Sequence, residues 1–244
     1  MNHDSFVRTA TATMEGDGAE VRRLFPIPRF MNFDPFVLWD HFDIGAGAGF
    51  PEHPHRGFEA ITYLFEGAMQ HADNLGNTST VGPQGAQRFT AGRGMVHSEM
   101  PAATGNTRGI QLWINLPQRL KRIDPEYQQV DAQDFPEQAL PYGRLRTLVG
   151  PGSPLRLHTP IRYYDLYLDG GGEHTLPMQA GEHALAYVVS GEARINGERL
   201  EAGMAWFSHS ATPVQIHAET AARLMLVFGT PHGEPIHQHG SYVD

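Results

Sequence analysis

Two short stretches of this 244-residue chain carry side chains suited to metal chemistry. Residues 50–59 read Phe-Pro-Glu-His-Pro-His-Arg-Gly-Phe-Glu, and residues 94–99 read Gly-Met-Val-His-Ser-Glu. In extended backbone, positions i and i+2 share a face. His53 and His55 therefore aim at one point, and His97 and Glu99 do the same. On neighbouring strands the two pairs offer three imidazole nitrogens and one carboxylate oxygen. That donor set suits one divalent ion: Fe(II), Mn, Co, Ni, Cu or Zn. A six-coordinate ion would keep two positions open for water, substrate or oxygen. A lone His-x-His is usually incidental, so the reading rests on the companion pair downstream, beside its Gly-Arg-Gly turn.

Composition narrows the alternatives. The chain has no cysteine, which excludes thiolate nucleophiles, disulfide scaffolds, Cys-ligated zinc and iron–sulfur clusters. Any bound metal must sit on histidine and carboxylate. Lys121 is the sole lysine against seventeen arginines, and 27 acidic residues outnumber 18 basic ones, giving a net charge of −9. That balance argues against direct binding of nucleic acid phosphates. There is no Gly-x-Ser-x-Gly elbow and no Walker loop. Gly45-Ala-Gly-Ala-Gly49 lacks the spacing of a dinucleotide fingerprint and reads as a flexible lip beside the metal. The first twenty residues lack the apolar core of a signal peptide, and no apolar run approaches the roughly 18 residues of a membrane span. A cytoplasmic location away from membranes is expected.

The elements that must hold these residues are strands. Short apolar runs alternate with Gly, Pro and Asn turns, and helical periodicity is scarce, with one short helical piece expected near Pro117 to Arg122. Strands are expected at Phe36–Asp40, Ala60–Phe65, Gly109–Asn115, Tyr163–Leu168, Ala184–Val189 and Arg223–Phe228. Two segments repeat: Glu59-Ala-Ile-Thr-Tyr-Leu-Phe-Glu-Gly67 matches His183-Ala-Leu-Ala-Tyr-Val-Val-Ser-Gly191, and Gly85–Phe89 matches Gly203–Phe207. The repeat implies two tandem β-domains, 1–130 binding metal and 131–244 lacking ligands, with the segment from Pro117 to Pro141 as linker. Aligned this way, Pro177 and Gln179 stand where His53 and His55 do, and Gln215 and His217 replace His97 and Glu99.

Other polar residues read as structural. His41 and Asp43 form a His-x-Asp inside an apolar run without a third ligand, so His41 and Asp40 are expected to be satisfied hydrogen-bonding groups. His232, His237 and His239 fall in a Pro/Gly-rich tail that reads as exposed loop, and Asp165 reads as a solvent-facing strand residue.

Six strings in order, Leu38–Asp43, His53–Glu59, Thr62–Gly67, Asp73–Asn77, Thr90–Met100 and Gln111–Pro117, resemble the pirin family of the cupin superfamily. The likeness is dense from about residue 20 to 118 and continues in Pro160–Leu166 and Gly233–Ile236. It implies an all-β bicupin: two tandem antiparallel β-barrels of the cupin or jelly-roll type with few short helices, and a metal, most typically Fe(II), only in the first. It also implies His53, His55, His97 and Glu99 as ligands. Glu59 falls where many cupins place a ligand glutamate; in pirins that position is not used, so Glu59 is left as a pocket or ligand-supporting residue. Longer pirins carry a closing helical tail, whereas this sequence reads Gly240-Ser-Tyr-Val-Asp244 there. The resemblance further implies a metal-dependent dioxygenase of quercetinase type, acting on a flavonol with O2, with Glu99 as the proton acceptor. Phe42, Phe50, Met95 and Trp113 are the expected pocket lining beside Glu59. The other class of function the family implies is an iron-binding, redox-sensing regulator acting through a protein partner. A monomer is expected.

Overall fold

The computed structural model describes residues 4–102 and 105–244. Its strands in chain order begin with β1 (Ser5–Thr9), β2 (Thr11–Glu15), β3 (Ala19–Phe25), β4 (Phe36–Ile44), β5 (Phe50–His55) and β6 (Phe58–Glu66). Next come β7 (Met69–Asp73), β8 (Thr78–Val81), β9 (Ala86–Thr90), β10 (Met95–Pro101), β11 (Thr107–Asn115) and β12 (Glu126–Val130). They continue as β13 (Glu137–Leu140), β14 (Gly143–Val149), β15 (Ile161–Leu168), β16 (Glu173–Leu176), β17 (His183–Ser190) and β18 (Glu192–Ile195). The last are β19 (Glu198–Glu201), β20 (Met204–Ser208), β21 (Val214–Ala218), β22 (Ala222–Gly229), β23 (Gln238–His239) and β24 (Tyr242–Val243). Among the described residues, helix is limited to two 3-10 turns, Gln118–Leu120 and Ala132–Asp134. No helix of the described residues is long and apolar enough to cross a membrane.

The chain forms two compact units. The first comprises residues 11–134, 157–159 and 232–244; the second comprises the N-terminal residues up to Ala10, 135–156 and 160–231. The units therefore are not the consecutive pieces 1–130 and 131–244, because each end of the chain contributes to the unit built by the other half. In the first unit a seven-stranded sheet, β12-β9-β6-β11-β4-β3-β2, is accompanied by a four-stranded sheet, β5-β10-β7-β8. The second unit repeats the plan with β1-β20-β17-β22-β15-β14-β13 and β16-β21-β18-β19. All named pairings are antiparallel. Each unit is a jelly-roll of two sheets over a shared core, the cupin type of barrel expected from sequence, with its sheets left open.

The segment expected to be a linker contains two strands. β12 pairs with β9 in the first unit, and β13 pairs with β14 in the second. Its glutamines and prolines suit edge strands, where one side of the backbone faces water. The six expected strands all fall inside central members of the seven-stranded sheets. Their continuous apolar runs reflect burial on both faces. The turn glycines Gly67 and Gly191 sit at φ +76° and +78°, where a Cβ would collide with the neighbouring chain. They make the same turn from the seven-stranded to the four-stranded sheet in each copy.

Candidate metal centre

The two pairs expected as ligands lie on adjacent strands of the small sheet. In the β5–β10 ladder His97 stands opposite His53 and Met95 opposite His55. The register shifts between His97 and Glu99, so that Glu99 faces Phe50. Bulges of this kind re-aim a side chain. The rings converge: centroids of His53 and His55 are 4.5 Å apart, His53 and His97 4.6 Å, and His55 and His97 4.9 Å. One nitrogen from each falls within 4.8 Å of the others, and this trio is the only such group of three or more metal-ligating side chains among the described residues.

Their outward nitrogens fix the tautomers. His53 Nδ1 lies 2.7 Å from the Pro51 carbonyl and His55 Nδ1 3.3 Å from the Ser241 carbonyl. A carbonyl only accepts, so each Nδ1 carries the proton and each Nε2 keeps its lone pair. His97 Nδ1 is 3.5 Å from His71 Nδ1, and His71 Nε2 is 3.0 Å from Asp73 Oδ2. With the His71 Nε2 proton on Asp73, His71 Nδ1 accepts and His97 Nε2 is again the lone-pair nitrogen. That atom is buried with no hydrogen-bond partner, a costly state unless something else binds it. Burial, with the neighbouring imidazoles adding to it, pushes the His55 pKa down to about 3 and holds that of His97 well below the ordinary value. Both rings are thus neutral donors at physiological pH. Phe89 stacks on His55 at 5.5 Å, and Trp113 meets it edge-on at 4.9 Å, which keeps water from that side. The donor set, the neutral rings of His55 and His97 and the orphaned His97 nitrogen fit a divalent metal ion.

Glu99 stands apart from the trio and is held by three neutral donors. Thr62 Oγ1 and Gln87 Nε2 donate to its Oε1 at 2.7 and 2.5 Å, and Gln111 Nε2 donates to Oε2 at 2.6 Å. Gln111 is oriented in turn by Trp113, whose Nε1 donates to its Oε1 at 3.1 Å. All three clamp residues belong to a row that crosses the large sheet strand by strand. The ladders place Arg23 opposite Asp40, Asp40 opposite Gln111, Gln111 opposite Thr62, and Thr62 opposite Gln87.

A cavity of about 490 Å³ opens over this row and the cluster, and its wall includes His53, His55, Glu99, Gln111, Arg23 and Asp40. Of the expected lining residues, Phe50 and Trp113 face it. Three do not. Phe42 packs with Val21, Ile44 and Leu64, and Met95 packs with Phe58 and Phe89. Glu59 lies three positions before Thr62 on the same strand, so the pleat turns it away from the cavity. There it is fully buried and accepts from Thr90 Oγ1 and the backbone N–H groups of His158 and Thr159. Asp40 bonds Arg23 as expected of a satisfied group, yet it also lines the cavity; burial raises its carboxyl pKa against the opposing pull of Arg23. His41 meets the Phe65 ring edge-on and takes no part in the site.

Residues beyond the sequence reading complete the centre. His71, Asp73, Thr62, Gln87 and Gln111 support the ligands, and the tail expected to be loose loop is fastened against them. Besides the Ser241 carbonyl on His55, the Val243 N–H bonds the Arg56 carbonyl, and Val243 is fully buried. Lys121 is part of that fastening: its Nζ donates to the carbonyls of Gly57 and Val243 and to Asn115 Oδ1. Burial lowers its pKa to about 8, which still leaves the ammonium with three protons for three acceptors at neutral pH. His71-x-Asp73 has the i, i+2 spacing that could have flagged it.

The second unit has the same ladders with other side chains. Val214 stands opposite Leu176 as His97 does opposite His53, and two residues on Ile216 takes the place of Glu99. This register differs by one residue from the alignment made on sequence, which chose Pro177, Gln179, Gln215 and His217. The polar row becomes Thr147, Tyr164, Leu226, Ala186 and Trp206. Asp165, expected to face solvent, is buried and paired with Arg223 at 2.9 and 2.6 Å.

Comparison with known proteins agrees with this architecture. The family model described as Pirin matches residues 18–114, and the one described as Pirin C-terminal cupin domain matches residues 163–244. A pirin-like protein of Solanum lycopersicum is 38% identical, over 96% of this chain and 84% of its own length. The crystal structure of a quercetin 2,3-dioxygenase from Acinetobacter baumannii superposes with a TM-score of 0.90 at 29% identity, covering 98% of this chain and 90% of that one. A bacterial pirin, YhhW of Escherichia coli, solved in complex with nickel(II), matches with a TM-score of 0.78 at 25% identity, covering 93% of this chain and 99% of its own. Two family models in the right order, over a duplicated jelly-roll with a histidine cluster in its first copy, leave one assignment: the chain belongs to the pirin family.

Proposed function

We propose that the first unit is a metal-dependent dioxygenase of quercetinase type, opening a flavonol with O2. The observation that carries this reading is the convergence of three imidazoles, one with an orphaned buried nitrogen, beside a cavity that His53 and His55 line together with aromatic side chains. His53, His55 and His97 would hold the ion through Nε2, and Glu99 would add a carboxylate oxygen. Fe(II) is the first choice, and Mn, Co, Ni, Cu and Zn satisfy the same donors. A divalent ion held there supplies Lewis acidity to a substrate oxygen and, for iron, a redox partner for O2. The similarity to a solved quercetin 2,3-dioxygenase supports the substrate class.

The chain's own residues do the rest. Trp113, Phe50, Leu38 and Met31 line the cavity and suit a flat aromatic ligand. Glu99 takes the proton of the flavonol 3-hydroxyl on a carboxylate oxygen. Gln111, Gln87 and Thr62 hold that carboxylate in one orientation, so that no rearrangement is needed when the proton moves. The cage of Phe89, Phe58 and Trp113 around His55 shields that imidazole from water. A cytoplasmic setting is part of the proposal.

Oxygen uptake with quercetin, after metal analysis of the freshly purified protein, tests it. Uptake that tracks metal content is expected. Flavonol cleavage retained in a metal-depleted His97→Ala protein would contradict it. The regulatory reading uses the same site with no turnover, so a metal-replete protein inert toward quercetin would favour it.

A further inference from the structure

We infer that Arg23 and Asp40 form the specificity determinant of the cavity, reading an uncharged hydroxyl on the part of an aromatic ligand remote from the histidines. The inference rests on the reading above that the cavity takes a hydroxylated aromatic. Arg23 Nε and Nη2 donate to Asp40 at 2.8 and 2.6 Å, and Nη1 lies 2.7 Å from Glu15. The Arg23 and Asp40 side chains are 14% and 7% exposed, and what exposure they have is toward the cavity they line.

The fold does not require this pair. At the same rungs the second unit carries Thr147 and Tyr164. Burying two charges costs desolvation that a packed apolar pair avoids. The second unit buries ion pairs of its own, Asp165 with Arg223 and Arg162 with Glu182, but at other rungs; what sets Arg23 and Asp40 apart is their place on the wall of the cavity that His53 and His55 also line. The pair sits at a useful distance, since Arg23 lies two strands from Gln111, a separation of roughly 10 Å at ordinary strand spacing. Gln111 is the donor that holds Glu99. A three-ring flavonol with its 3-hydroxyl near Glu99 would bring an outer ring to Asp40.

Charge selects the group that fits. Arg23 is flanked by Asp40 and Glu15, and Glu52 and Glu99 also line the cavity, four carboxylates against one guanidinium. An anionic substituent meets net repulsion. A hydroxyl can donate to Asp40 and accept one of the two guanidinium N–H groups that the three bonds to Asp40 and Glu15 leave over.

The test is equilibrium binding, read by quenching of tryptophan fluorescence in anaerobic, zinc-loaded protein. The probes are quercetin, 3-hydroxyflavone, which keeps only the 3-hydroxyl, and a flavonol carboxylated on its outer ring. The wild type is expected to bind quercetin about tenfold to a hundredfold more tightly than 3-hydroxyflavone, the range of one hydrogen bond to a charged group, and the carboxylated probe more weakly than quercetin. Asp40→Asn should narrow the preference. Arg23→Met/Asp40→Leu, which leaves no lone charge between the two positions, should bring it within about twofold without changing 3-hydroxyflavone binding. A thermal melt and zinc content verify that each variant is folded. The inference is overturned by a wild type without preference, by a double variant that keeps it, or by equal loss of both ligands. Preferential binding without oxygen uptake would instead overturn the dioxygenase reading and leave this one standing.

Discussion

The two units share ladders and differ in what the ladders carry. In the first, the interior holds His53, His97 and Glu99 with the row Arg23, Asp40, Gln111, Thr62 and Gln87. In the second, the equivalent ligand positions are Leu176, Val214 and Ile216, and the row runs through Tyr164, Leu226, Ala186 and Trp206, all members of one buried apolar cluster. His71 behind His97 is matched by Ile195 in the same cluster. The jelly-roll thus needs hydrocarbon at these rungs for stability alone. The first copy keeps polar groups there and ties them to one another and to backbone carbonyls, leaving His97 Nε2 without a partner. The ligands and their supports are replaced together, which marks them as one functional assembly.

Writing the second unit's residues into the first should break the comparison most severely. His53→Leu with His97→Val is expected to lower metal affinity at least a hundredfold while the protein still folds, checked by isothermal titration with zinc and by a thermal melt. The converse change falls on stability alone. Trp206→Ala should cost about 3–5 kcal/mol in urea unfolding, as large aromatic truncations do, with metal content unchanged. Loss of metal in that variant would show that the second unit is not a passive core.

The pH dependence sharpens the contrast in the metal-free protein. The folded His55 pKa, about 3, lies below the unfolded value near 6.5, so the unfolded chain binds the proton that the folded chain refuses. Stability is therefore full above about pH 6.5 and declines as pH falls toward 3. At pH 5, His55 alone accounts for a loss of about 2 kcal/mol, and His97 shifts in the same direction. Urea melts at pH 7 and pH 5 read it; equal midpoints would mean the imidazoles are not buried neutral. The smallest effect is expected from Gln111→Leu, the residue found at Leu226. Leaving one oxygen of Glu99 without its donor should weaken metal binding about tenfold, measured by competition with a chelator.

Much of this was legible in the sequence where the signal runs along one strand. The pairs His53/His55 and His97/Glu99 follow the two-residue pleat, and the buried central strands announce themselves as apolar runs. The polar row was not legible because it runs across the sheet: Arg23, Asp40, Thr62, Gln87 and Gln111 come from five strands and have no spacing in common. The misplaced lining residues follow from the same limit. Phe42 lies on the face of Asp40 but two residues deeper, among apolar neighbours, and Glu59 is on the other face altogether. His237 and His239 are exposed as read, but the fastening of the tail was not legible because its hold is mostly backbone: Ser241 reaches His55 and Val243 reaches Arg56 through groups every residue carries. The edge strands β1 and β12 pair far from their sequence neighbours, which no local pattern records.

The central claim is that one copy holds metal and the other cannot. The number of ions per chain, measured by elemental analysis after saturation with zinc and removal of excess, tests it in the wild type and in His97→Ala. One ion per chain in the first and none in the second is the predicted result; two ions, or one that survives His97→Ala, would contradict it.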